Sequence, residues 1–117
     1  MSYDISFRAR VHGTDLYVPA WRSANVTWNV RKIIVDFTGL EWKNEANNGL
    51  CTDVIPKIRQ GSENIRAAIK EYDESNSPYN LDDLHTVDNF LSKILYDWRD
   101  FVCYHHDLVH HVTFWIT

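Results

Sequence analysis

The chain has 117 residues, 44% of them hydrophobic and 14% aromatic, and a formal net charge of −4 at neutral pH. That length and apolar content suit a single domain over residues 1–117 with one sizeable core, and they exclude general disorder. The acidic balance, with no basic cluster longer than Arg31-Lys32, argues against direct nucleic-acid binding, and no apolar run approaches the roughly 20 residues that cross a bilayer.

The first ten residues are polar at every second position and lack an apolar signal core, so a cytoplasmic protein is expected. Residues 2–12 alternate: Tyr3, Ile5, Phe7, Ala9 and Val11 on one face, Asp4, Ser6, Arg8, Arg10 and His12 on the other. Period two predicts a half-buried strand. His12-Gly13-Thr14-Asp15 reads as a turn. Leu16-Tyr17-Val18 reads as the returning strand of a hairpin, ended by Pro19. Asn25 or Thr27 is placed to cap a helix whose stripe is Val30, Ile33, Ile34 and Phe37, with Gly39 at its C-terminal stop. Residues 40–49 are expected to be a loop.

A second helix is predicted over about 52–72, with Pro56 tolerable only in its first turn and Gly61 a weak point in its middle. Residues 74–80 form the clearest loop. The third helix has Asn80 as its N-cap and an apolar stripe from Leu84 through Val87, Leu91, Ile94 and Trp98 to Val102. Its opposite side is expected to carry Asp82, Asp83, Asp97, Asp100 and Asp107. Finally, residues 111–117 alternate again, and their aromatic and β-branched content predicts a strand that must pair with the hairpin. The expected order is β-β-α-α-α-β. This is an α+β fold: a small antiparallel sheet, made of the N-terminal hairpin plus the C-terminal strand, with three helices packed on one face. Cys51 and Cys103, far apart in sequence, read as reduced thiols that pack as small hydrophobes.

The pattern richest in recognition chemistry is Trp28-Asn29 followed by Trp42, Asn44, Asn47 and Asn48. Indoles offer flat stacking faces and carboxamides offer paired donors and acceptors, but neither is a strong nucleophile or base. These six residues are the expected ligand- or partner-binding set. Asp97 and Asp100 of the acidic helix side are expected to join them as phosphate mimics toward a basic partner. The packing alternative is that the tryptophans are core and the amides form a turn. His105, His106, His110 and His111 resemble a metal cluster, but a helix-to-strand junction there would destroy the i, i+4 geometry, so no metal and no cofactor is expected. Phosphate-cradling and nucleophile-elbow motifs are absent from the sequence, and a non-enzymatic role follows as the expectation.

Ser2-Tyr3-Asp4-Ile5-Ser6 and Asn25-Val26-Thr27-Trp28-Asn29 resemble a loose group of small proteins from phages, prophages and mobile elements of gut-type bacteria. Those proteins begin with a Ser-Tyr-Asp-Ile strand and carry an Asn-x-Thr-aromatic-Asn motif before a helix. The resemblance covers the first third of the chain and implies a viral accessory protein that binds and blocks a host protein, such as a defence component. The alternative expectation is an oligomeric protein that sequesters a small nucleotide-like ligand between aromatic and amide groups. A metal-dependent hydrolase is a more distant third.

Overall fold

The computed structural model describes residues 2–40 and 45–117. Strands β1 (Ser2–Arg10) and β2 (Tyr17–Thr27) form the hairpin; α1 (Arg31–Thr38), β3 (Ala46–Leu50), α2 (Cys51–Lys70), α3 (Leu81–Tyr104) and β4 (Val112–Ile116) follow. All pairings are antiparallel and the sheet order is β2-β1-β4-β3. The architecture is α+β, with the hairpin joined by the C-terminal strand and three helices backing the sheet. β4 lies beside β1 with Phe7 opposite Phe114 and Ile5 opposite Ile116. All four of these side chains are buried. Phe7 meets Trp98 and Phe101 of α3 edge-on, with ring centroids 5.4 and 5.7 Å apart. Such T-shaped contacts add to the burial of apolar area that drives the sheet onto the helices.

The sheet departs from expectation at both edges. Pro19 does not end β2, because β2 is an edge strand whose outer side needs no partner for a missing N–H. The strand runs on to Thr27. Two β-bulges interrupt it: Asp4 and Ser6 face Asn25 and Arg22, and Phe7 and Arg8 face Trp21 and Pro19, so β2 carries one extra residue each time. The first bulge places both Ser23 and Ala24 opposite Ile5, and Ser23 then reaches α3. Bulges re-aim side chains and twist an edge away from unwanted pairing. Asn25 and Thr27 are consequently strand residues, not helix caps. Asn25 Nδ2 donates to Asp4 Oδ1 at 2.6 Å, and a 3₁₀ turn (Trp28–Val30) leads into α1, whose N-cap position is Val30 without a side-chain cap.

At the other edge, part of the expected 40–49 loop is β3. The turn chemistry of Asn47-Asn48-Gly49 is used as a bulge: Gly49 has φ 97°, its N–H donates to Asn47 Oδ1 at 2.9 Å, and the register against β4 shifts by one residue there. A side chain at that φ would be strained, which is why glycine occupies the bulge.

Helix details also differ. α2 begins at Cys51, so Pro56 is its sixth residue and deletes the bond to the Thr52 carbonyl. Gly61, far from a weak point, is a contact. A Cβ there would lie 2.8 Å from Thr38 Cγ2 and 2.9 Å from the Phe37 carbonyl oxygen, so its hydrogen lets α1 and α2 approach closely. Asn80 caps α3 as expected, accepting from the Asp82 and Asp83 N–H groups at 2.8 and 3.3 Å. Cys51 is buried but Cys103 is exposed, and both thiols are free. No helix among the described residues is long and apolar enough to cross a membrane.

Candidate functional site

With the helices on one side, the second face of the sheet carries no helix among the described residues. Residues directly opposite in an antiparallel ladder share a face. Arg8 thus lies between Pro19 and Thr113, Ser6 between Arg22 and Trp115, and Trp115 beside Asn47. Arg10 lies beside Tyr17. The strands that bury Phe7 and Phe114 on one side therefore present Arg8, Trp115 and Tyr17 on the other.

These three side chains form one stack. The Arg8 guanidinium carbon sits 4.7 Å from the Trp115 ring centroid, and the Tyr17 and Trp115 rings meet across β1 with centroids 5.5 Å apart. Hydrogen bonds fix the group from below. Arg8 Nε donates to Ser6 Oγ at 3.0 Å, the Trp115 indole N–H donates to Thr113 Oγ1 at 2.8 Å, and that hydroxyl donates to the Arg8 carbonyl at 3.3 Å. Ser6 and Thr113 are only 6% and 8% exposed although no helix covers them; the stack itself shields them. A guanidinium over an indole face gains about 0.5–1 kcal/mol at a partly wet site. More to the point, its geometry is set before anything binds. Glu45, at the entry to β3, brings its carboxylate to 3.9 Å from Arg8 while holding φ 58°, a left-handed conformation that disfavours a residue with a Cβ.

Two cavities flank the stack. One, of about 290 Å³, is lined by Ser6, Arg8, Pro19 and Arg22 together with Asp4 and Thr117. The other, of about 650 Å³, lies at the hairpin end and is bounded by Arg10, Tyr17, Thr113 and three histidines. The face holds stacking surfaces and hydrogen-bonding groups. The buried Cys51 thiol, whose pKa burial pushes far up, is unsuited to act as a nucleophile.

Of the residues singled out from sequence, the described ones lie in different parts of the fold. Trp42 and Asn44 lie outside the described residues, as does the side chain of Trp28. Asn29 accepts from the Thr27 hydroxyl just beyond the β2 edge, whereas Asn47 is on β3 at the opposite edge. Asn47 does join the open face, exposed beside Trp115, and Asn48 is half-buried in the β3 bulge. Asp97 is not on the solvent side of α3. It is 5% exposed, and its two oxygens accept from Ser23 Oγ and Lys93 Nζ, each at 2.7 Å, pinning α3 to the β2 bulge. That bond raises the Lys93 pKa. Asp100 is half-buried on the same helix. Sequence reading missed Arg8, Tyr17 and Trp115. The signal was present in β4, where Trp115 falls on the polar side of a clean alternation with Val112, Phe114 and Ile116.

The histidine run breaks as expected for a junction: α3 ends at Tyr104 and a 3₁₀ turn spans His106–Leu108. The His105 ring packs among aromatics, 5.3 Å from Phe101 and 6.0 Å from Trp21 between centroids. Among the described residues, no three His, Cys, Asp or Glu side chains converge as a metal site would require. Comparison with protein-family models, with curated proteins and with solved structures found no match to this chain.

Proposed function

We propose that the protein is a non-enzymatic binding protein that grips a partner protein with the open sheet face. The observation that carries this is the Arg8–Trp115–Tyr17 stack, an aromatic and guanidinium cluster with no helix over it among the described residues. Trp, Tyr and Arg are the residue types that dominate interface hot spots, where they anchor a patch ringed by polar groups. Asn47, Arg22, Arg10 and the Asp4–Asn25 pair supply such a ring here. The N-terminal resemblance to phage-type accessory proteins supports a host protein as the partner class, and binding that occludes the partner is the mode of action we favour.

The test is a capture experiment followed by a measured affinity. The intact chain is used as bait in bacterial host lysate, and the captured protein is then titrated against the wild type, Trp115→Ala and Arg8→Ala. Hot-spot truncation costs about 2 kcal/mol or more, a loss of roughly thirtyfold for each variant. A captured protein that binds folded Trp115→Ala and Arg8→Ala as tightly as wild type would remove the open face from the assignment.

A further inference from the structure

We infer that the larger groove on this face, at the hairpin end of the sheet, is a separate site for a small oxyanion carried on an aromatic body. Its lining comes from three stretches remote in sequence: Arg10, His12 and Tyr17 of the hairpin, Leu50 at the end of β3, and Leu108, His110 and His111 before β4. The volume, about 650 Å³, falls within the range of small-molecule sites, roughly 300–1,000 Å³.

The lining has a division of labour. Leu50, Leu108 and Tyr17 contribute apolar surface, Arg10 and three histidines contribute groups able to donate N–H bonds, and no carboxylate lines the groove. Arg10 Nε donates to the Thr14 carbonyl, and the fully exposed Asp15 holds one further Arg10 nitrogen at 3.2 Å. In a chain of net charge −4, an anion is disfavoured over most of the surface, so donors collected in one concavity set a preference for it there. Three histidines in one groove could also suggest a cation. The geometry opposes that reading, since among the described residues no such group converges on a common point. Imidazoles spread around a groove can instead each donate to a different oxygen of one phosphate or carboxylate. Tyr17 links the two features of the face. It lines the groove and also stacks with Trp115, so its ring is held ready to receive a planar group.

The probe is a nucleoside monophosphate, titrated into the isotope-labelled full chain and followed by NMR at the histidine and tyrosine side chains. The unphosphorylated nucleoside and inorganic phosphate are run alongside. We expect the monophosphate to bind best, phosphate less well and the nucleoside least, with the largest shifts at His12, His110, His111 and Tyr17. The His110→Gln/His111→Gln variant should weaken the monophosphate by tenfold or more, since each lost bond to a charged group is worth roughly that factor. Tyr17→Leu should weaken the monophosphate but leave phosphate binding nearly unchanged. Equal binding of nucleoside and monophosphate, shifts centred elsewhere, no response to any probe, or undiminished monophosphate binding by the histidine variant would each overturn the inference. Trp115→Ala and Arg8→Ala leave the imidazoles in place, so failure of partner capture and failure of this site give different results.

Discussion

Phe114 and Trp115 are neighbours in one strand, and they live in different physical worlds. Phe114 faces the helices and has no exposed surface, packed 6.1 Å from Phe7 between ring centroids. Trp115 faces away, half-buried, under the Arg8 guanidinium. On the inner face, stability comes from apolar area removed from water and from close packing. On the outer face, a few rings and a cation lie over two otherwise bare hydroxyl side chains. The inner side needs every methylene, whereas on the outer side Trp115 stays half-buried beside Arg8.

Substitution at adjacent positions should expose this difference. Phe114→Ala removes a fully buried ring and leaves a cavity, at a cost of about 3–5 kcal/mol. Trp115→Ala loses the cation–π contact and part of its burial, about 1–2 kcal/mol. Urea unfolding of the two variants measures both. Equal losses would mean that the outer stack is a second core, and the binding assignment would lose its basis.

The next effect concerns the layer that backs the inner face. In an exposed helix, Gly→Ala stabilises by up to about 1 kcal/mol. At Gly61 the sign should reverse. The added Cβ meets Phe37 backbone oxygen and Thr38 Cγ2 inside 3 Å, so α1 must move off α2, with a net loss of about 1–3 kcal/mol. A thermal melt of Gly61→Ala at or above the wild-type temperature would show that the crossing has slack.

Much of this plan was legible in the sequence, and the misses have physical causes. The alternation of residues 2–12 and 111–117, the Asn80 cap and the stripe of α3 each point the same way locally and globally, so they read correctly. β3 did not, because Asn and Gly carry turn propensity and a bulged edge strand uses them without needing alternation. Pro19 was misread for a related reason: a strand edge tolerates what a strand centre does not. Asp97 shows a different limit. Helical periodicity puts it opposite the stripe, but the β2 bulge brings Ser23 to it from across the chain, which no local pattern encodes. The open-face stack unites Arg8, Tyr17 and Trp115 from three strands, so only register could reveal it.

The smallest effect separates buried polar contacts from exposed ones. Asp97 is enclosed, so losing it leaves Lys93 and Ser23 without their acceptor at the β2–α3 contact. Asp36, by contrast, is in solvent on α1, where Tyr79 Oη donates to it at 2.8 Å and Lys32 Nζ at 3.0 Å. The Tyr79 hydrogen bond first, and the Lys32 bond next, hold its pKa below the ordinary 3.8. A carboxyl lowered on folding binds its proton more weakly in the folded state. Its contribution is therefore complete above the unfolded value and fades as pH falls through the folded one. Lys32 and Tyr79 are both raised, chiefly by their hydrogen bonds to Asp36, so their contributions are complete at neutral pH and fade only as pH rises past their own folded values. Asp36→Asn should accordingly lower the melting temperature slightly and evenly across the neutral range, with the difference from wild type closing below pH 3.8. Because Asp36 and Lys32 are exposed, added salt should shrink the difference as well. A gap that persists undiminished in acid would mean that Asp36 acts through packing, and the contrast between enclosed and solvent-facing carboxylates in this fold would fail at that position.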